Sequence, residues 1–134
     1  MTATIEDVRD SIADAVATTG IRCHPYVLDQ VSPPVAMVNR RGMDPRMVLG
    51  ATKNVYRFEV VVFASRQSEI AGQKLIDNYA ATTGTSSIKV AVEDGSNWTA
   101  TVDYATVTNI GDTVEREIAG VVYLTVAIEL EVCW

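Results

Sequence analysis

The only histidine, His24, follows Cys23 and precedes Pro25. A thiol beside an imidazole has the residue types needed to hold a metal ion or to build a nucleophile–base pair. Adjacent residues of a strand point to opposite faces, however, so the two do not converge on one centre. The other cysteine, Cys133, is far away in sequence. Both thiols are expected to be free of disulfide and metal, with Cys23 and His24 structural. The carboxylates offer no better pair. Asp7, Asp10 and Asp14 recur at spacings of three and four, which places them on the solvent side of a helix. Glu129 and Glu131 share one face of a strand. Acid–base catalysis needs two carboxylates in unlike environments, and nothing in either set supplies that. Gly84-Thr85-Ser86-Ser87 leads into a helix, but a lone glycine makes no phosphate cradle and the segment reads as a cap. No catalytic residue, cofactor site or metal site is expected.

One segment stands apart in charge. Residues 39–57 hold Arg40, Arg41, Arg46, Lys53 and Arg57 against one acid, Asp44. The chain as a whole has 11 basic and 17 acidic residues, a net charge of -6. So acidic a chain is a poor candidate for gripping phosphate backbones by bulk charge. The basic segment reads either as a solvated loop or as a surface for an acidic partner, including the protein's own acidic face in a second copy. Arg40, Arg41 and Arg46 are the candidate basic contacts. Asp7, Asp10, Asp14, Glu129 and Glu131 are the candidate acidic ones.

The elements that must position these residues follow from periodicity. Thr4 reads as an N-cap with Asp7 three residues on, and Ile5, Val8, Ile12, Ala15 and Val16 form an apolar stripe. A helix is therefore expected over about 4–19, with Gly20 as its left-handed stop. Ile21 to Val27 reads as a short edge strand, and Val35 to Val38 as a buried one. A loop is expected from Asn39 to about Thr52. Residues 53–64 and 121–133 alternate as strands. Each has one wholly apolar face, and the other face turns from polar to apolar. An antiparallel arrangement matches the two patterns, with the strands either adjacent or one strand apart, and adjacency sets Arg57 near Glu129 or Glu131. Between them lie a helix over about 66–81, with Gly72, Leu75, Ile76 and Tyr79 inward, and a short helix capped by Ser86. A half-exposed strand is expected from Trp98 to Tyr104, a turn at Ile110-Gly111-Asp112, and a hairpin broken at Ala119-Gly120.

Length and composition agree with one domain, 1–134. Hydrophobic residues make up 48% and charged residues 21%, the globular range. The densest apolar run, Val60 to Ala64, is far below the roughly 20 residues a spanning helix needs. The acidic N-terminal region lacks the features of a secretion signal, and two cysteines are too few for a disulfide scaffold, so a reducing cytoplasm is expected. The order α-β-β-β-α-α-β-β-β implies an α+β fold: a mixed, mostly antiparallel sheet with helices packed against one face.

The ordered blocks carry a resemblance. They are the acidic helix ending in Thr18-Thr19-Gly20-Ile21, then Ser32-Pro33-Pro34-Val35-Ala36-Met37-Val38, then Tyr56-Arg57-Phe58-Glu59-Val60-Val61-Val62-Phe63. Arg66, Gly72-Gln73 and Leu75-Ile76-Asp77-Asn78-Tyr79 follow, then Gly84-Thr85-Ser86-Ser87-Ile88-Lys89, and Gly120 with Tyr123-Leu124 before the closing strand. In order and spacing the chain resembles the tail terminator proteins of long non-contractile tailed phages, especially those infecting actinobacteria. The resemblance covers nearly the whole chain. It implies a structural virion protein at the tail–neck junction, assembled in the host cytoplasm. Such proteins form a six-fold ring of identical subunits on the last ring of tail tube protein, stop tube polymerisation and dock the head-completion or neck proteins. Genomic DNA passes through the lumen without sequence readout, and neither a cofactor, a reaction nor a membrane is implied. Another neck, head–tail completion or tube protein of the same particle is the nearest alternative. A small cellular ligand-binding or enzymatic domain is a more distant one.

Overall fold

The structure, a computed structural model, describes residues 3–28, 30–44, 55–64 and 69–134. Its first element starts where the sequence places it. Thr4 Oγ1 accepts the Asp7 N–H at 3.1 Å, and Asp7 Oδ2 accepts the Thr4 N–H at 2.9 Å, a reciprocal capping box. Helix α1 runs Ile5–Ala17. It stops two residues before the expected end because Thr18 and Thr19 turn their hydroxyls back onto the carbonyls of Ala15 and Val16, at 2.6 and 2.7 Å. Gly20, at φ 100°, makes the left-handed turn that no β-carbon would allow cheaply.

Strands β1 (Arg22–His24), β2 (Val35–Asp44) and β3 (Val55–Ala64) follow. Then come helices α2 (Glu69–Ala80) and α3 (Ile88–Glu93), a 3₁₀ turn at Gly95–Asn97, and strands β4 (Tyr104–Ile110), β5 (Val114–Ile118) and β6 (Val121–Cys133). The sheet order is β1-β2-β3-β6-β4, with β5 also on β6. Only β1–β2 is parallel; β2–β3, β3–β6, β4–β6 and β5–β6 are antiparallel. The fold is thus the mixed, mostly antiparallel α+β arrangement that the element order implied.

The expected β3–β6 pairing is present, with Arg57 directly opposite Glu131 and Glu59 opposite Glu129. One sheet face is the main core. Ala36, Val38, Phe58, Val60, Val62, Leu124, Val126, Ile128 and Leu130 meet Val8, Ile12 and Val16 of α1, Ile76 of α2, and Ile88 and Val92 of α3. Fully burying each such aliphatic side chain contributes about 1.5–3 kcal/mol. Among the described residues the other face carries no helix. Its apolar end, Val35, Met37, Val61 and Phe63, is buried against Val31, Ile118, Tyr123 and Ala127, and the Leu28 N–H donates to Met37 Sδ at 3.4 Å. Arg9 ties the chain that follows β1 to α1, donating to the carbonyls of Pro25 at 2.8 Å and Val38 at 3.1 Å, with its guanidinium 4.5 Å from the Tyr26 ring centre.

Three local expectations are corrected. The loop from Asn39 does not begin there, because β2 continues to Asp44. A bulge between Arg40 and Gly42 absorbs one residue, and pairing resumes with Arg57, Tyr56 and Val55. Residues 45–52 of that expected loop lie outside the described residues. The strand expected over Trp98 to Tyr104 begins only at Tyr104, because its donors are used elsewhere. The Trp98 indole donates to Val92 O at 2.8 Å, and the Ala100 N–H donates to Ser11 Oγ at 2.9 Å. The cap of α3 is Ser87 rather than Ser86, its hydroxyl accepting the Val90 N–H at 3.3 Å.

The β5–β6 hairpin turns through Ala119 at φ 51° and Gly120 at φ 81°, a two-residue type I′ turn. Alanine bears a steric cost there that asparagine or glycine avoids. Ala119→Asn is expected to raise the unfolding free energy by about 0.5–1 kcal/mol. Urea unfolding followed by circular dichroism checks it.

Candidate subunit and partner interface

The candidate residues divide into those the fold has already engaged and those it presents. Asp7 is engaged. Hydrogen bonds from the Thr4 N–H and then the Thr4 hydroxyl hold its carboxyl below the usual aspartate range. Asp10 and Asp14 lie on the exposed side of α1, away from Val8, Ile12 and Val16. Arg40 sits on β2 opposite Phe58 and is exposed. Arg46 lies outside the described residues.

Arg41 and Glu129 are brought together, with a third residue that the sequence reading did not single out. Glu59 is only 4% exposed and stands on the helix-free face directly opposite Glu129. Two carboxylates facing each other across a ladder repel. Arg41 bridges them, with Nη1 at 3.3 Å from Glu59 Oε2 and Nη2 at 3.9 Å from Glu129 Oε1. Strand alternation places Arg41 on the same face as Asn39, whose Nδ2 donates to Glu59 Oε1 at 3.1 Å, and the bulge leaves Gly42 rather than Arg41 opposite Arg57. Both Glu59 oxygens are thereby satisfied. The arginine read as a free contact for a neighbour therefore has carboxylate partners within its own chain. The signal for Glu59 was present in the alternation: antiparallel pairing of Arg57/Glu59 with Glu129/Glu131 sets two glutamates face to face, which demands a cation.

Beside this bridge lies a shallow cleft of about 320 Å³ lined by Arg41, Arg57, Phe58, Thr108, Glu129 and Leu130. Arg57 lies over the bulge at Gly42, where an added β-carbon would stand 3.6 Å from its Nη2. Thr108 hydroxyl donates to the Glu129 carbonyl at 3.4 Å. The helix-free face is thus half apolar and half charged. Arg41 is engaged there, while Arg57 and Glu131 stand opposite each other. A face of this kind suits protein contact.

The thiols sit elsewhere. Cys23 on β1 and Cys133 at the end of β6 are not in disulfides. Burial, and then the nearby Asp14 charge, push the Cys23 thiol up to about 12. It stays protonated at physiological pH and is a poor nucleophile. Native protein at pH 8 is expected to react at Cys23 with iodoacetamide at least roughly tenfold more slowly than unfolded protein. Mass spectrometry of timed quenches reads this; equal rates would overturn it. The linkage has a definite sign. The unfolded thiol ionises near 9.0 and the folded one only near 12, so stability from this group is lost as pH rises through that window.

No group of three or more metal-ligating side chains is assembled among the described residues, and no described helix is long and apolar enough to cross a membrane. No protein-family model matches this chain, and no curated protein sequence is detectably similar to it.

Proposed function

We propose that this chain is a structural virion protein of the tail terminator kind. In this reading copies form a six-fold ring that caps the tail tube, stops its polymerisation and offers its far side to the neck. DNA passes through the lumen, and the protein holds no cofactor and catalyses no reaction. The observation that carries the reading is the agreement of element order. The resemblance implies a mixed sheet with helices packed against it, and the chain folds as helix, three strands, two helices and three strands into that arrangement. The helix-free sheet face supports it further, because beside its buried apolar cluster it presents Arg41, Arg57, Glu129 and Glu131, a mixed-charge surface suited to a complementary partner. A closed ring needs two unlike surfaces per subunit that meet head to tail. The acidic outer side of α1 and the mixed-charge sheet face lie on opposite sides of the molecule and can serve as such a pair.

The test is the particle made without this protein. Tails of uncontrolled length, unattached to filled heads, are expected in electron micrographs. Tails of normal length on infectious particles would sink the reading.

A further inference from the structure

The sheet order β1-β2-β3-β6-β4 leaves β4 as one end strand, and among the described residues no strand lies beyond it. Its residues, Tyr104-Ala105-Thr106-Val107-Thr108-Asn109-Ile110, include no charge, no proline and no glycine. That is the composition of a segment that pairs with copies of itself. Natural sheets blunt such edges by shortness, by charge or by a cover. The opposite end strand, β1, has only three residues, and β5 interposes Glu115, Arg116 and Glu117. β4 has neither device.

A cover is built there instead. Glu93, the last residue of α3, reaches the strand, and its Oε2 accepts the Val107 N–H at 2.9 Å and the Thr106 hydroxyl at 3.1 Å. Lys89, one turn earlier on the same helix, donates to its Oε1. Burial opposes the charge, but the bonds from Lys89, the Val107 N–H and the Thr106 hydroxyl outweigh it and hold the carboxyl below the usual glutamate range. The ionised carboxylate thus stands at neutral pH where a further strand would bond.

The backbone of β4 defines what that strand would be. Val107 turns its N–H away from β6, so alternation turns the backbone of Ala105 the same way. A two-fold axis through Thr106 makes Ala105 of one copy and Val107 of the other a hydrogen-bonded pair, and the reverse. Thr106 then faces Thr106 in the closer, non-bonded pair between them. No like charges meet, and threonine opposite threonine favours a ladder. The Val107 N–H and the Thr106 hydroxyl at the centre of this pairing are the two groups that Glu93 occupies.

We infer that Glu93 is a latch that keeps the β4 edge from pairing with a second copy of this chain. Opening the latch exposes a self-complementary edge, and two subunits join across it in antiparallel register about Thr106. The latch does not depend on the tail reading. If that reading holds, it keeps subunits out of two-fold pairs, which do not propagate around a head-to-tail ring.

Cross-linking at the axis tests this. Thr106→Cys sets two thiols opposite each other in the inferred register, where the β-carbons of such a pair stand about 4.5–5.5 Å apart. Under mild oxidation, Thr106→Cys with Glu93→Ala is expected to form the 106–106 disulfide at least about tenfold faster than Thr106→Cys alone, read by peptide mapping. Glu93→Gln keeps the side-chain length but gives up the charge-assisted bonds. It serves if the alanine variant folds poorly, and should accelerate the same link at least about threefold. In sedimentation, Glu93→Ala with the native Thr106 should shift to dimer as concentration rises. Adding Thr106→Lys, which opposes two lysines, should return it to the wild-type state. Equal cross-linking with and without Glu93 in folded protein, links at Cys23 or Cys133 in place of position 106, or a Glu93→Ala dimer that survives Thr106→Lys would each overturn the inference. Tail length in particles lacking the protein decides the tail reading separately.

Discussion

Arg41→Glu is expected to lower the unfolding free energy by about 3 kcal/mol, while Arg40→Glu changes it by less than about 0.5 kcal/mol. The two arginines are adjacent in sequence, yet their surroundings differ. Arg40 is exposed on β2. Arg41 joins Glu59 and Glu129, and Glu59 is almost fully buried. Removing one partner of a buried pair costs about 3–5 kcal/mol, because the other charge is left desolvated and uncompensated. The Arg41 side chain is itself 51% exposed, so water screens part of this and the lower end applies. A glutamate then adds repulsion from a third carboxylate on the same face. Arg41→Met leaves out that repulsion and should cost about half as much. If Glu59→Gln largely restores the stability of Arg41→Met, the loss comes from the buried charge. Chemical denaturation of the four variants measures this. A melting temperature for Arg41→Glu equal to wild type would show that the bridge contributes nothing. The same variants separate fold from interface. An assembly defect of Arg40→Glu at unchanged stability is a surface effect, whereas a defect of Arg41→Glu is confounded by unfolding.

That contrast marks what could be read from the sequence and what could not. The strands β3 and β6 were legible because each presents one continuous apolar face, over the nine residues from Tyr56 to Ala64 and the eleven from Val122 to Val132. Their antiparallel orientation was legible because their second faces change polarity in opposite directions, but those patterns fit adjacent strands and strands one apart equally, and the direct pairing comes from the fold. The capping box at Thr4 and Asp7 is a local signal and was read directly. The extension of β2 through Asn39-Arg40-Arg41-Gly42 was not legible. Those residues are polar, and only the partner β3 makes them a strand. The bulge there cannot be seen in one strand alone, since it is a mismatch between two. The strand expected from Trp98 failed for the converse reason. Its alternation is real, but the Ala100 N–H is claimed by Ser11, 89 residues away, and no local pattern announces that bond. For the candidate contacts, chain-wide charge counting found Arg41 and Glu129 but assigned them to different molecules. The fold set them on one.

Trp134→Ala should destabilise the domain by about 3 kcal/mol, more than its half-buried surface alone implies. The indole lies against the Tyr56 ring, with centroids 4.2 Å apart and planes inclined by 19°. Its N–H donates to the Ala3 carbonyl at 2.7 Å. Two losses therefore occur together. The stacked pair contributes about 0.5–1.5 kcal/mol beyond area, and Tyr56 would keep an exposed ring face over Phe58, whose own centroid is 6.5 Å away. The hydrogen bond contributes about 1 kcal/mol and fixes the residue just before the α1 cap. This bond spans 131 positions of sequence and ties the end of the central strand β6 to the start of α1. Its loss should therefore appear as faster amide exchange in the first turn of α1, around Ile5 to Val8, and not only as a lower melting temperature. Trp134→Phe separates the contributions by keeping a ring to stack and removing the donor. It should recover more than half of the stability while leaving the first-turn exchange raised. Double substitution with Tyr56→Ala should be less than additive, because the two rings share one interaction. Full additivity, or an unchanged exchange rate at Ile5 to Val8 in Trp134→Ala, would show that the closing residue does not clamp the helix.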